Sequence, residues 1–202
     1  MGKQRDVLPI VEKFYSLQGE GFHSGLAAFF IRLAGCDVHC PFCDVKEAWS
    51  DHFPLLPVEE LVAEIVSNKA KHVIVTGGEP CMHNLDLLCQ NLQSLQIATH
   101  LETSGTHSLS GSWNWICLSP KKNTQVKEEF YLKANEIKVV VETPEDFAFA
   151  EQHAKKVNIN CLLYLQPEWE QRQKIEPLIV AYIMQHPQWK LSLQIHKYLN
   201  IR

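Results

Sequence analysis

Short apolar runs alternate along this chain with stretches whose apolar positions recur every three or four residues. The first pattern suits strands that bury one or both faces; the second suits helices packed on a sheet. Leu8 to Tyr15 opens as a strand of mixed character. Ala27 to Ala34 is almost wholly apolar, like a strand covered on both faces, with Arg32 as its exception. His72 to Val75, Ile97 to Leu101, Trp115 to Leu118, Ile137 to Val141, Cys161 to Leu165 and Leu191 to Ile195 complete the strands. The periodicity between them predicts helices over Val58 to Ser67, Leu85 to Leu95, Pro144 to Lys156 and Glu168 to Gln185. Pro57 precedes the first, with Glu59 and Glu60 in its opening turn. Pro177 is expected to kink or divide the last.

Strands alternating with helices imply an α/β fold of parallel strands and right-handed crossovers. Polar and glycine clusters recur just after strands, where a β/α barrel places its site loops. The chain has 202 residues, short for the ~250 of a full barrel, and offers six or seven usable strands. The expectation is a partial (open, truncated) β/α barrel in a single domain, 1–202.

Composition narrows the setting. Hydrophobic residues make up 46% of the chain, enough for one good core, and the net charge is −4 with no basic block. Nothing suggests a nucleic-acid surface. Met1 to Asp6 lacks the apolar core of a signal peptide, and no apolar run approaches the ~20 residues that span a bilayer. The expectation is a cytoplasmic protein with no membrane partner.

The chemistry concentrates in Gly35-Cys36-Asp37-Val38-His39-Cys40-Pro41-Phe42-Cys43-Asp44. Three cysteines spaced C-x3-C-x2-C can wrap one compact metal centre, and clustered thiols at cytosolic redox poise suit metal ligation better than disulfides. Zinc would need His39 as a fourth ligand, although it adjoins Cys40. A [4Fe–4S] cluster held by three thiolates keeps one iron open to a small molecule. The other cysteines, Cys81, Cys89, Cys117 and Cys161, read as small buried hydrophobes, with Cys81 the one that could approach the site. A lone Arg32 in an apolar strand is costly unless it meets an anion, either a structural partner or a ligand. Gln18-Gly19-Glu20-Gly21 suits a tight turn where backbone can approach a ligand.

The cysteine motif with aromatic Phe42, and Gly77-Gly78-Glu79-Pro80 after the run Val73-Ile74-Val75, resemble radical S-adenosylmethionine (SAM) enzymes. Within that superfamily, several stretches resemble the 7-carboxy-7-deazaguanine synthase family. They are Phe14 to Gly21, Phe30 to Cys36, Phe42-Cys43-Asp44, Thr76 to Pro80, Leu101 to Gly105, Ser119-Pro120-Lys121 and Leu193 to Lys197. The cysteines and the Gly-Gly-Glu-Pro turn are shared superfamily-wide; the Gln18–Glu20 turn and Arg32 discriminate.

The resemblance implies a truncated barrel and a ring contraction. The substrate would be 6-carboxy-5,6,7,8-tetrahydropterin, converted to 7-carboxy-7-deazaguanine with loss of ammonia in queuosine biosynthesis, a carbon–nitrogen lyase reaction. The implied cofactors are a [4Fe–4S] cluster on Cys36, Cys40 and Cys43, and SAM, which is re-formed at each turnover. Phe42, Cys43, Asp44, Gly78, Glu79, Ser104, Ser119, Pro120 and Lys121 would face SAM. Leu17, Gln18, Gly19, Arg32 and Thr76 would hold the pterin, and the tail around His196 would close over it. A flavodoxin or ferredoxin electron donor and a homodimer are further implications.

One position departs from the pattern. The family binds Mg2+ near the substrate carboxylate through a hydroxyl residue two places after the third cysteine, where this chain has Val45. Hard Mg2+ needs oxygen ligands. Either magnesium is held by Asp44, backbone and water, or the enzyme works without it; the second is the expectation, with Arg32 or Lys46 carrying more of the carboxylate's charge. Two alternatives stand beside this reading: a small radical SAM activase of a glycyl-radical enzyme, and a zinc-dependent binding protein.

Overall fold

The computed structural model describes residues 6–50 and 52–202. Most of the amino-terminal stretch considered for targeting lies outside them. Among the described residues nine strands form one sheet: β1 (Val7–Leu17), β2 (Ala27–Leu33), β3 (Leu55–Pro57), β4 (His72–Gly77), β5 (Ala98–Thr103), β6 (Trp115–Leu118), β7 (Glu136–Val141), β8 (Leu162–Pro167) and β9 (Trp189–Leu191). Their order is β3-β1-β2-β4-β5-β6-β7-β8-β9. From β2 to β9 every pairing is parallel, whereas β1 runs antiparallel to both β2 and β3. The sheet is open, since β3 and β9 end it without pairing to each other. The expected partial barrel is present, with more strands than the sequence pattern counted.

Helices α1 (Val58–Ser67), α2 (Asp86–Ser94), α3 (Glu128–Lys133), α4 (Asp146–Ala154) and α5 (Arg172–Gln185) accompany the sheet, and α6 (Ile195–Leu199) follows β9. On β2, Phe29, Ile31 and Leu33 pack outward with Leu61 and Ile65 of α1 and Leu88 and Leu92 of α2. Truncating one of these leucines to alanine should cost about 2–5 kcal/mol. A second core joins β5–β9 to α3, α4 and α5 around Phe130, Ile137, Val139 and Ile179. The alternate positions, Ala28, Phe30 and Arg32 on β2 and their counterparts on later strands, face inward.

α1 spans the expected residues, with Pro57 preceding it. Two expectations are corrected. Leu191 to Ile195 is not a strand: pairing ends at Leu191 and the chain turns away at Ser192, whose Oγ donates to Gln166 Oε1 at 2.7 Å. The last long helix begins at Arg172, because the Glu168 carboxylate accepts from the backbone N–H groups of Glu170 and Gln171 and shapes a turn. Pro177 sits inside that helix without dividing it.

Candidate active site

A cavity of about 430 Å3 opens over the barrel interior, a size that suits a small-molecule ligand. Its first wall is the loop after β2. Gly35 N–H donates to Ala48 O at 2.8 Å and Ser50 O at 3.0 Å, which closes this loop on itself. The turn after β4 then fixes its position: Gly78 N–H donates to Leu33 O and Glu79 N–H to Gly35 O, both at 2.8 Å. Gly77 makes that approach possible, since its φ is 144° and any Cβ there would run into the backbone of Leu33.

Cys36, Cys40 and Cys43 are free thiols, partly exposed, and all three line the cavity. Burial pushes the Cys40 thiol up; Lys121 opposes this, while the adjacent Cys36 and Cys43 add to it. A cationic iron centre would relieve that crowding, so the donor set fits the implied cluster. Zinc fits less well. His39 turns its ring against Trp49, with centroids 4.9 Å apart. Among the described residues only Glu102, Cys117 and Glu136 bring three ligand atoms within 4.8 Å of one another, so the loop thiols are spread wider than one ion would hold them.

Glu79 is 2% exposed and saturated by its own chain. Thr103 Oγ1 (2.5 Å) and Cys81 N–H (3.0 Å) donate to one oxygen, and Ser104 donates to the other through N–H (2.8 Å) and Oγ. Beyond it, Lys121 Nζ donates to Ser119 Oγ at 2.5 Å and lies 6.0 Å from the Phe42 ring centroid.

The opposite wall is the turn after β1. Gln18 Nε2 donates to Glu102 Oε1 at 3.1 Å, and Gln18 Oε1 accepts from Glu20 N–H at 3.1 Å. The Lys138 ammonium, 5% exposed, sits between Glu20 and Glu102 and meets the latter at 2.9 Å. Burial works against both charged partners, yet each is held by the other. Glu20 stays down at about 2 through Lys138 and Gln194, and Cys117, Glu102 and Glu20 hold Lys138 well above an ordinary lysine. Arg32 Nε donates to Glu12 Oε1 at 2.7 Å, the structural partner its lone charge demanded. Its Nη atoms carry four further N–H donors.

The chain's last residues form the third wall. Ile195 N–H donates to Gly19 O at 3.0 Å, and the His196 ring lies so close over Gly19 that a Cβ there would overlap it. Lys197 Nζ donates to Asp44 Oδ1 at 2.7 Å, next to Cys43. The fold therefore brings Leu17, Gln18, Gly19, Arg32, Phe42, Asp44, Thr76, Gly78, Glu79, Ser104, Ser119, Lys121 and His196 to the same cavity as the thiols. Pro120 is buried outside the lining, Lys46 reaches instead over the Trp49 ring (5.9 Å), and Cys81 packs in the core with its thiol pushed up to about 12, chiefly by burial. Glu102, Lys138, Gln166, Trp169 and Gln194 also line the cavity and were not singled out from the sequence. Lys138 carried a usable signal, being a lone cation in an apolar strand as Arg32 is.

An open β/α barrel with a three-thiol loop beyond its first parallel strand defines a radical SAM protein, and the model of the Radical SAM superfamily matches residues 30–117. The chain is 46% identical to the 7-carboxy-7-deazaguanine synthase of Flavobacterium psychrophilum, over 97% of this chain and 93% of the relative. It is 51% identical to the protein of the same name from a Synechocystis species, over 96% and 93%. The crystal structure of QueE from Escherichia coli superposes with a TM-score of 0.83 at 34% identity, covering 93% of each chain. The chain belongs to the 7-carboxy-7-deazaguanine synthase family.

Proposed function

We propose that this protein converts 6-carboxy-5,6,7,8-tetrahydropterin to 7-carboxy-7-deazaguanine with loss of ammonia, within queuosine biosynthesis. The observation that carries the reading is the meeting of the thiol loop and the Gln18–Glu20 turn in one cavity of about 430 Å3. Cys36, Cys40 and Cys43 would hold a [4Fe–4S] cluster, which would supply the electron for SAM cleavage. Phe42, Asp44, Gly78, Glu79, Ser104, Ser119 and Lys121 form the SAM side, with buried Pro120 supporting its neighbours. Leu17, Gln18, Gly19, Arg32, Thr76 and His196 form the pterin side. The Arg32 Nη groups suit a carboxylate, and the carboxamide and backbone of the turn suit the polar edge of a pterin. The chain's own work is to orient both molecules and exclude water.

Magnesium does not fit the donors present. Val45 faces the cavity with no side-chain oxygen, and both Asp44 oxygens are already engaged, by Lys197 at 2.7 Å and Gln194 at 3.1 Å. The reading is turnover without a divalent cation, with Arg32 and Lys197 supplying positive charge. Among the described residues no helix is long and apolar enough to cross a membrane. A cytoplasmic homodimer reduced by a flavodoxin or ferredoxin completes the proposal.

The test is anaerobic reconstitution with iron and sulfide, then dithionite, SAM and the tetrahydropterin, with products followed by mass spectrometry. 7-Carboxy-7-deazaguanine is the expected product. SAM cleavage without it would point to an activase, and failure to take up iron would return the zinc-dependent reading.

A further inference from the structure

Gln194 joins the two sides of the cavity through a single nitrogen. It is 7% exposed, and its Nε2 donates to Glu20 Oε1 at 2.8 Å and to Asp44 Oδ2 at 3.1 Å. A carboxamide nitrogen has two hydrogens, and here each goes to a carboxylate on a different loop. Glu20 belongs to the turn after β1, on the pterin side; Asp44 follows Cys43 on the thiol loop. These bridges span 174 and 150 residues of sequence.

Charge balance does not explain this arrangement, because each carboxylate already has its own ammonium. Lys138 serves Glu20, and Lys197 serves Asp44. What Gln194 adds is register. It holds the two carboxylates at one mutual spacing without adding charge, and neighbouring bonds stiffen its own segment. Ser192 Oγ donates to Gln166 and accepts from Gly21 N–H at 2.9 Å, and Ile195 N–H donates to Gly19 O. A ligand seated against the turn therefore also bears on the loop that carries the thiols.

We infer that Gln194 is a positioning residue that couples occupancy of the pterin side to the geometry of the SAM side, so that SAM cleavage leads to product rather than to waste. The inference rests on the function proposed above. A coupled turnover returns SAM and accumulates no nucleoside. An uncoupled event breaks the C5′–S bond with two electrons from dithionite and one proton from the buffer, and leaves methionine and 5′-deoxyadenosine.

The ratio of accumulated 5′-deoxyadenosine to deazaguanine product reads the coupling, with wild type and Gln194→Leu assayed as cluster-loaded full-length chains. The expected result is a rise of at least about tenfold in that ratio, with iron content unchanged. A ratio within about twofold of wild type would overturn the inference, even if both products fell together, because that pattern marks a merely structural loss. Should Gln194→Leu fail to load iron, Gln194→Asn decides by the same thresholds, since it keeps the amide but is one methylene too short to span both carboxylates. Wild type that makes product with an unchanged variant ratio sinks only the coupling. Wild type that makes no deazaguanine sinks the proposed function and this inference with it.

Discussion

The two ends of the barrel treat buried titratable groups in opposite ways. At the cavity end, Glu20 and Lys138 keep their charges because each has an opposite charge within bonding distance, and Lys138 also meets Glu102. At the other end, near the starts of β4, β5 and β6, three histidines are held neutral. Burial lowers His100 to about 4, with His23 and His72 adding to the effect, and His23 and His72 are lowered as well. His72 Nδ1 and His100 Nε2 lie 3.1 Å apart, so one ring donates and the other accepts. His23 stands edge-on to His100 and Trp115, at centroid distances of 4.6 and 4.5 Å, and Phe22 stacks on Trp115 at 5.0 Å. His23 Nε2 and Trp115 Nε1 have no hydrogen-bond partner among the described residues, so ring packing holds this layer. Glu136 marks the border. Its carboxyl is pushed up by burial and then by Glu102, while it accepts from Phe22 N–H at 2.8 Å. Inward position alone does not decide a group's charge; the nearest countercharge does.

Removing that countercharge should have the largest effect. Lys138→Met leaves Glu20 and Glu102 facing each other, and breaking a buried pair costs about 3–5 kcal/mol. Urea unfolding measures this, and a change under about 1 kcal/mol would remove the basis of the contrast.

Acid should dismantle the two ends in sequence. A histidine in the unfolded chain takes its proton near 6.5, whereas His100 resists until about 4. Its contribution is whole above pH 6.5 and is lost as pH falls from there to 4. His153, buried beside Tyr131 at 2.8 Å, is also lowered to about 4 by burial and adds to the same window. Glu20 lies at about 2 against an ordinary 4.5, so its contribution is whole above pH 4.5 and fades towards pH 2. Thermal melting across these ranges should fall in two stages. His100→Asn should flatten the first by on the order of 2 kcal/mol. A midpoint that holds constant from about pH 7 to 4 would contradict a neutral base.

The smallest effect concerns magnesium. A cavity that carries its own ammonium groups should lose less than about twofold in turnover on chelation, whereas Val45→Thr, which restores an oxygen donor, should gain modest stimulation by Mg2+. Strong magnesium dependence in the wild type would mean that Lys197 does not serve in the cation's place.

Much of the site could be read because its signals are local. The thiol spacing, the Gly77–Gly78 turn and the lone Arg32 each depend on a few consecutive residues. α1 was legible to the residue because proline and two acids mark its start. Lys138 escaped although the reasoning applied to Arg32 applies equally to it. Leu191 to Ile195 misled because alternating apolar and polar positions read as a strand. Its Ser192 and Gln194 side chains instead bond Gln166, Glu20 and Asp44, which draws the segment off the sheet. α3, with six residues, was too short to show a period.

By itself the sequence determined the thiol loop, the alternation of strands and helices, and the family they resemble, because spacing and period are properties of neighbouring residues. Only the tertiary structure decided which acid meets which ammonium. Glu20 and Lys138 are 118 positions apart, and their meeting depends on strand register, where a slip of one residue would turn Lys138 into the outer core.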